Sequence, residues 1–298
     1  MNLYQERSSN VFKTWALMLG FFLLVIAVGW AISWYYDSPA ILYGAVILSV
    51  LMNVGSYWFS DKLVLSMTSA KPATRAEYFD LYTVTENLAI TAGLPMPKLY
   101  VIDDAAPNAF ATGRDEKHAV VVATTGLLNI LDRTELEGVI AHELSHVKNK
   151  DMLVMTVAVV LAGFLAIIAD IFLRMSMFGG GDRDSGKAGA LFAVLAVVGI
   201  ILAPIAAQLI QLAISRRREY LADSSGALLT RYPEGLASAL RKIGSYAAPM
   251  KIANHATAHL FIGNPFGARA SSFTNKLFAT HPPIEDRIKK LLGAARAE

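Results

Sequence analysis

Four long apolar runs limit what this chain can become. Residues 14–36 and 38–60 carry no Asp, Glu, Lys or Arg, and only Asp37, followed by Ser38 and Pro39, parts them. Residues 152–169 are uncharged again, and so are residues 188–215. A helix of about 20 apolar residues crosses a bilayer, so each run is long enough to span one. Hydrophobic residues make up 54% of the chain and its mean hydropathy is positive, which excludes an ordinary soluble domain. The first two runs predict a tight transmembrane hairpin. Trp15, Trp30, Trp34, Tyr35, Tyr36, Tyr57 and Trp58 gather toward its span ends, as interfacial aromatics do. A cleaved leader does not suit the first run, which is too long and is followed at once by a second span.

These runs divide the chain. Residues 1–60 form an N-terminal tail and the first hairpin, with spans at 14–36 and 38–60. Residues 152–215 form a second hairpin, with spans at 152–173 and 188–215, and Pro204 predicts a kink in the last one. Asp170 and Arg174 fall four apart at the end of the third span and are placed to pair. Between and after the hairpins lie polar segments, 61–151 and 216–298. Basic residues near the span ends fall mostly on their side (Lys62, Arg75, Lys148 and Arg216 among them), against Arg174, Arg183 and Lys187 on the other. By the positive-inside rule both termini and both polar segments face the cytoplasm. The same bias toward span ends argues for membrane orientation rather than nucleic-acid binding.

The first polar segment predicts a helix over residues 77–92 that Gly93 and Pro95 stop. Strands follow at 99–102, 108–112 and 119–123, the last two joined by a polar turn. Thr134 to Glu137 reads as a capping box, so a helix is expected to begin near Glu135. That helix carries His142-Glu143-Leu144-Ser145-His146. Residues four apart share a helix face, so both imidazoles can reach one ion, and Glu143 beside the first can reach a water on it. With no cysteine in the chain, thiolate sites are excluded and a metal must be held by His, Asp or Glu. Two imidazoles with a third ligand and an open position make a catalytic Zn²⁺ site.

The second polar segment supplies the third ligand. In Arg218-Glu219-Tyr220-Leu221-Ala222-Asp223 the two carboxylates stand one turn apart on one face. Glu219 can bind the ion while Asp223 accepts the second N–H of a ligating histidine. Helices are expected at 233–247 and 284–295. His146 lies six residues before Met152 and Glu219 four after Ser215, about 9 and 6 Å along a helix, so the site is expected close to the membrane surface.

Other motifs carry less. Gly181, Gly186 and Lys187 match a phosphate-loop pattern, but Ala188 stands where a magnesium-binding hydroxyl belongs and no strand precedes it. His255 and His259 are four apart with Ala256 in place of a base, and read as a polar helix face or loop. His118 reads as a solvated turn residue. A non-catalytic membrane adaptor with a structural metal would not need Glu143, and a transporter would be expected to carry a charge inside its spans.

Four pieces together resemble one family. They are Asn108-Ala109-Phe110-Ala111-Thr112-Gly113, Ala141 to His146, Arg218 to Asp223, and Thr280-His281-Pro282-Pro283 with Arg287. In these, and in the order of its spans, the chain is similar to the HtpX-type membrane zinc metalloproteases, glutamate-zincins related to the CAAX prenyl proteases. The resemblance implies a mainly α membrane protein: four transmembrane helices and a cytoplasmic α+β zincin-like domain with a small sheet. It implies one Zn²⁺ per chain on His142, His146 and Glu219, with Glu143 as general base and His281 near the metal. It implies an edge strand at Asn108, Ala109 and Phe110 that pairs with the substrate backbone. The implied substrates are membrane and misfolded proteins, cleaved at the cytoplasmic face of a bacterial inner membrane as part of quality control and stress response.

Overall fold

The computed structural model describes residues 3–178, 197–198, 200–201, 205, 216–252, 257–267 and 282–295. Helix α1 runs from Leu3 to Tyr36, 34 residues, and reaches well before the expected start at residue 14. At 1.5 Å per residue it is about 51 Å long, more than a bilayer core of about 30 Å. Its first turns therefore project beyond the apolar layer, where Arg7 pairs with Glu116 of the polar domain at 2.8 Å. Asp37, at φ 50°, reverses the chain, and the Ser33 hydroxyl donates to the Ser38 carbonyl across the turn. Helix α2, Pro39–Trp58, returns antiparallel against α1. A short amphipathic helix, α3 (Ser60–Met67), then leads off the hairpin.

The soluble core is a four-stranded sheet between two helical layers. Its strands are β1 (Lys71–Pro72), β2 (Lys98–Ile102), β3 (Ala109–Thr112) and β4 (Val120–Thr124), in the order β1-β2-β4-β3. Strands β2 and β4 run parallel, while β1 and β3 lie antiparallel to their neighbours. Side chains alternate between faces. Val121, Ala123, Ala109 and Ala111 face a core built from helices α4 (Phe79–Ala92) and α6 (Arg133–Lys148). Val120, Val122 and Phe110 face the other way, onto Met155, Val159 and Val160 of helix α7 (Asp151–Phe178). That is why α7, apolar enough to cross a membrane, is 72% buried over its span while α2 is only 17% buried. One side of α7 meets α1 and the other carries the sheet.

Several expectations are refined by local physics. The capping box lies two residues upstream of the one expected. Asp132 accepts from the Glu135 N–H and Glu135 accepts from the Asp132 N–H, both at 2.9 Å, so α6 begins at Arg133. Asp132-x-x-Glu135 fits the capping pattern as well as Thr134-x-x-Glu137 does, and Glu135 is held there by Lys242 at 2.6 Å and the Ser238 hydroxyl at 2.7 Å. The helix expected at 77–92 starts at Phe79 and closes on Gly93, at φ 68°, a conformation that glycine adopts without strain. Strand β1 and helix α5 (Thr125–Ile130) go beyond the elements expected. Asp170 and Arg174 pair at 2.7 Å as expected, but α7 continues past them to Phe178.

Three helices among the described residues are long and apolar enough to span a membrane. The fourth expected span is described only at residues 197–198, 200–201 and 205, which are helical. The phosphate-loop lookalike, His255, Thr280 and His281 lie outside the described residues. Beyond α7 come α8 (Arg216–Thr230), α9 (Pro233–Ser245) and α10 (Ile284–Ala295).

Candidate metal centre

Helix α6 presents His142, Glu143 and His146 inward, each 5% exposed or less. Helix α8 crosses it at Gly226. A Cβ there would stand 3.0 Å from the His142 backbone nitrogen, so glycine lets the two helices approach this closely. The crossing brings Glu219, 4% exposed, opposite the two imidazoles. His142 Nε2 lies 3.2 Å from His146 Nε2. His142 Nε2 to Glu219 Oε2 is 3.8 Å, and His146 Nε2 to Glu219 Oε1 is 3.6 Å. Two ligand atoms about 2.0–2.1 Å from one tetrahedral ion stand about 3.3–3.4 Å apart. The observed spacings bracket that value, and the three residues could hold one metal ion.

The second ring nitrogens fix the tautomers. Asp223 Oδ1 lies 2.9 Å from His142 Nδ1, the pairing expected from the sequence. Asp151 Oδ2 lies 3.1 Å from His146 Nδ1 and was not anticipated. Carboxylates accept only, so each Nδ1 carries its proton and each Nε2 is the atom turned toward the site. Asp151 had one signal in the sequence, a charge five residues past His146 at the mouth of an apolar run.

The two histidines differ electrostatically. Burial pushes the His142 pKa down to about 4; the hydrogen bond and charge of Asp223 pull it up in part, and the Arg287 and His146 charges work against that. Burial also disfavours the charged form of His146, but Asp151, Glu219 and Glu143 outweigh it and raise its pKa to about 9. Glu143 rises to about 7, chiefly through burial, while the nearby His146 charge and an N–H from Ala111 pull it back. The raised His146 pKa favours a proton on that ring, whose Nε2 lies 3.2 Å from the His142 Nε2. A metal ion must replace that proton. Since a raised pKa keeps the proton bound until the pH passes it, affinity is expected to strengthen about tenfold per unit from neutrality up to pH 9. Metal-stripped protein at pH 7.5 should release about one proton per ion bound, read by calorimetry in two buffers of different ionisation enthalpy. Release of none would contradict the assignment.

Arg287 closes the site from below. It is fully buried, and its Nε and Nη2 reach the two Asp223 oxygens at 2.9 and 2.7 Å. Its Nη1 donates to the Ile262 carbonyl at 3.1 Å and lies 3.9 Å from Glu219.

Strand β3 is the sheet edge, as expected, but it is not open. The Asn108 carbonyl accepts from Thr124 of β4, so by alternation Ala109 and Ala111 turn their backbone groups outward. The Ala109 carbonyl accepts from the Ile262 N–H at 2.9 Å, and the Ala111 N–H points to Glu143. Asn108, 2% exposed, bridges to both backbone groups of Gly263. Phe110 packs edge-on against Phe261. The chain's own 261–263 stretch therefore lies along part of this edge, a long-range contact that local periodicity does not report. His259, expected on a polar face or loop, is buried in a 3-10 turn of that stretch. His118 is half-exposed and paired with Asp115 at 2.7 Å.

A buried pair of histidines four apart, a glutamate from a crossing helix and a carboxylate beside the first histidine define a metalloprotease centre. The profile of Peptidase family M48 matches residues 76–295, and the chain belongs to that family. It is 47% identical to a "Protease HtpX homolog" of Thermoanaerobacter pseudethanolicus, with 97% of each chain covered. It is 48% identical to a "Protease HtpX homolog" of Syntrophobacter fumaroxidans, covering 94% of this chain and 98% of the relative. The fold is similar to the crystal structure of S. mikatae Ste24p, with a TM-score of 0.52 at 19% identity over 97% of this chain and 67% of that one.

Proposed function

We propose that this membrane metalloprotease is a zinc endopeptidase that cleaves membrane and misfolded proteins at the cytoplasmic face of a bacterial inner membrane. The observation that carries the reading is the triangle of His142, His146 and Glu219 ligand atoms with Glu143 beside it. Two imidazoles and one carboxylate, with no thiolate in the chain, are a donor set for Zn²⁺ that leaves a fourth position open. When bound, zinc supplies Lewis acidity, polarising the scissile carbonyl and favouring ionisation of water.

The chain's own residues do the rest. Glu143, with its pKa raised to about 7, is poised to take a proton from the attacking water near neutrality and to return it to the leaving amine. Asp223 and Asp151 hold the ligand imidazoles in one tautomer. The outward backbone of Ala109 and Ala111 offers an extended peptide a strand to join, in exchange for Ile262 at Ala109. The family resemblance adds His281, outside the described residues, as a further candidate for the site.

The helices support the proposed location. Helices α6 and α7 are separated only by Asn149 and Lys150, so the centre sits at the mouth of a span. Basic residues on that side favour the cytoplasm, with both termini there and a second hairpin over 152–215.

A single-span reporter with an unfolded tail, presented to the purified protein in oriented vesicles, tests this reading. A tail on the side of residues 61–151 should be cut by the parent and spared by Glu143→Gln. A tail on the opposite side should survive. Cutting of the far-side tail alone would overturn the placement of the site on the side of residues 61–151, and cutting of neither would overturn the substrate class.

A further inference from the structure

Asn10, in the first turns of α1, lies 0% exposed beside the metal centre although it is 136 positions from His146 in the chain. Its side-chain amide donates to the Asp151 carboxylate (Oδ1) at 2.5 Å and to the Asn149 carbonyl at 3.1 Å. Its side-chain oxygen accepts from Arg218 Nη1 at 3.2 Å. Arg218 Nε stands 3.6 Å from the same Asp151 oxygen. The other Asp151 oxygen accepts from His146. Asp151 and Arg218 are 1% and 3% exposed, so both are shielded from bulk solvent.

A buried carboxylate needs donors on both oxygens to stay charged and fixed. Oδ2 is committed to His146. Oδ1 has one short donor, Asn10, and a guanidinium at a longer distance. Asn10 therefore sets the rotation of the carboxylate that orients a metal-binding imidazole. Through its oxygen it also holds Arg218, the residue next to Glu219. One amide on the first membrane helix thus ties together the two segments that bring ligands from before and after residues 152–215.

We infer that Asn10 is a positioning residue of the metal centre, acting through Asp151 on His146, so that the N-terminal membrane helix is part of the metal site. This rests on the reading of His142, His146 and Glu219 as zinc ligands. Loss of a partner that holds a ligand weakens metal binding by about 10–100-fold, and Asn10, one bond further out, should fall at the lower end.

The experiment measures zinc affinity on the full-length protein in detergent, by competition with a chromophoric chelator. The cobalt-substituted spectrum reports ligand geometry in parallel. Asn10→Ala should raise the zinc Kd about tenfold and shift the cobalt bands, while Thr14→Val should change neither. Thr14 sits one turn along the same helix, is 1% exposed, and bonds only to the Asn10 carbonyl, so it reports a merely structural loss. In an Asp151→Ala background, adding Asn10→Ala should change the Kd less than about twofold, because the path is already cut. Equal affinity in parent and Asn10→Ala, or full additivity with Asp151→Ala, overturns the inference. If Asn10→Ala does not fold, Asn10→Asp carries the same criterion, since it keeps the shape and replaces the donor with a second carboxylate facing Asp151. A parent that binds no zinc overturns the metal reading itself, and this inference with it.

Discussion

Glu143→Gln is expected to leave zinc bound and to lower proteolysis by about 10²–10⁴-fold, the share that general acid–base catalysis contributes. Glutamine keeps the shape of Glu143 and can still accept from the Ala111 N–H, so the local packing has no reason to change. What it loses is the ability to accept a proton. In the parent, burial lifts the Glu143 pKa to about 7, which leaves it divided between acid and base forms near neutrality and suits a group that must take a proton and give it back. Cleavage of an unstructured protein, with zinc content measured on the same sample, reads both halves. Cleavage at the parent rate by a zinc-loaded variant would remove Glu143 from the mechanism.

Arg287→Met should be the most destabilising single change at the site. Arg287 is 0% exposed, and its fork engages both oxygens of Asp223. Burial alone would raise the Asp223 pKa, but Arg287 and His142 hold it down at about 2. Removing one partner of a buried pair strands the other's charge, at a cost of about 3–5 kcal/mol. The methionine leaves the His142 partner without its counter-charge and the Ile262 carbonyl without its donor. Arg287→Lys should recover part of the loss, since it restores charge but not the two-pronged geometry. The sign with pH follows from the depressed pKa. The stability Asp223 contributes is present above its ordinary value near 4 and is lost as the pH falls from there toward 2. Chemical denaturation of both variants in detergent gives the numbers, and a loss of less than about 1 kcal/mol for methionine would contradict the packing described.

Much of the centre could be read from spacing because its parts are local. His142 and His146 are one turn apart on one helix, and so are Glu219 and Asp223, so helical periodicity alone puts each pair on a face. That the two faces meet depends on Gly226 and on a crossing that no local pattern encodes. The same limit explains what the sequence left hidden. Asp151 reaches His146 after a turn, at Asn149 and Lys150, that breaks the helical count, with Lys150 at φ 58°. Asn10 meets Asp151 across 141 positions. The expected open edge at β3 is covered in part by Ile262, 153 positions beyond Ala109, and extended backbone there was visible while its neighbour was not. The capping box was misplaced by two residues because two overlapping four-residue windows satisfy the same rule, and Lys242 from α9 favours one of them.

The proposed function requires that His142, His146 and Glu219 hold one zinc ion on which proteolysis depends. Metal-stripped protein titrated with zinc, with bound metal and cleavage rate followed in the same cuvette, tests it most directly. Both curves should break at one equivalent per chain, and a His146→Ala, Glu219→Ala double variant should show neither break. Cleavage that persists after the metal is stripped, or a one-equivalent break retained in the double variant, would contradict it.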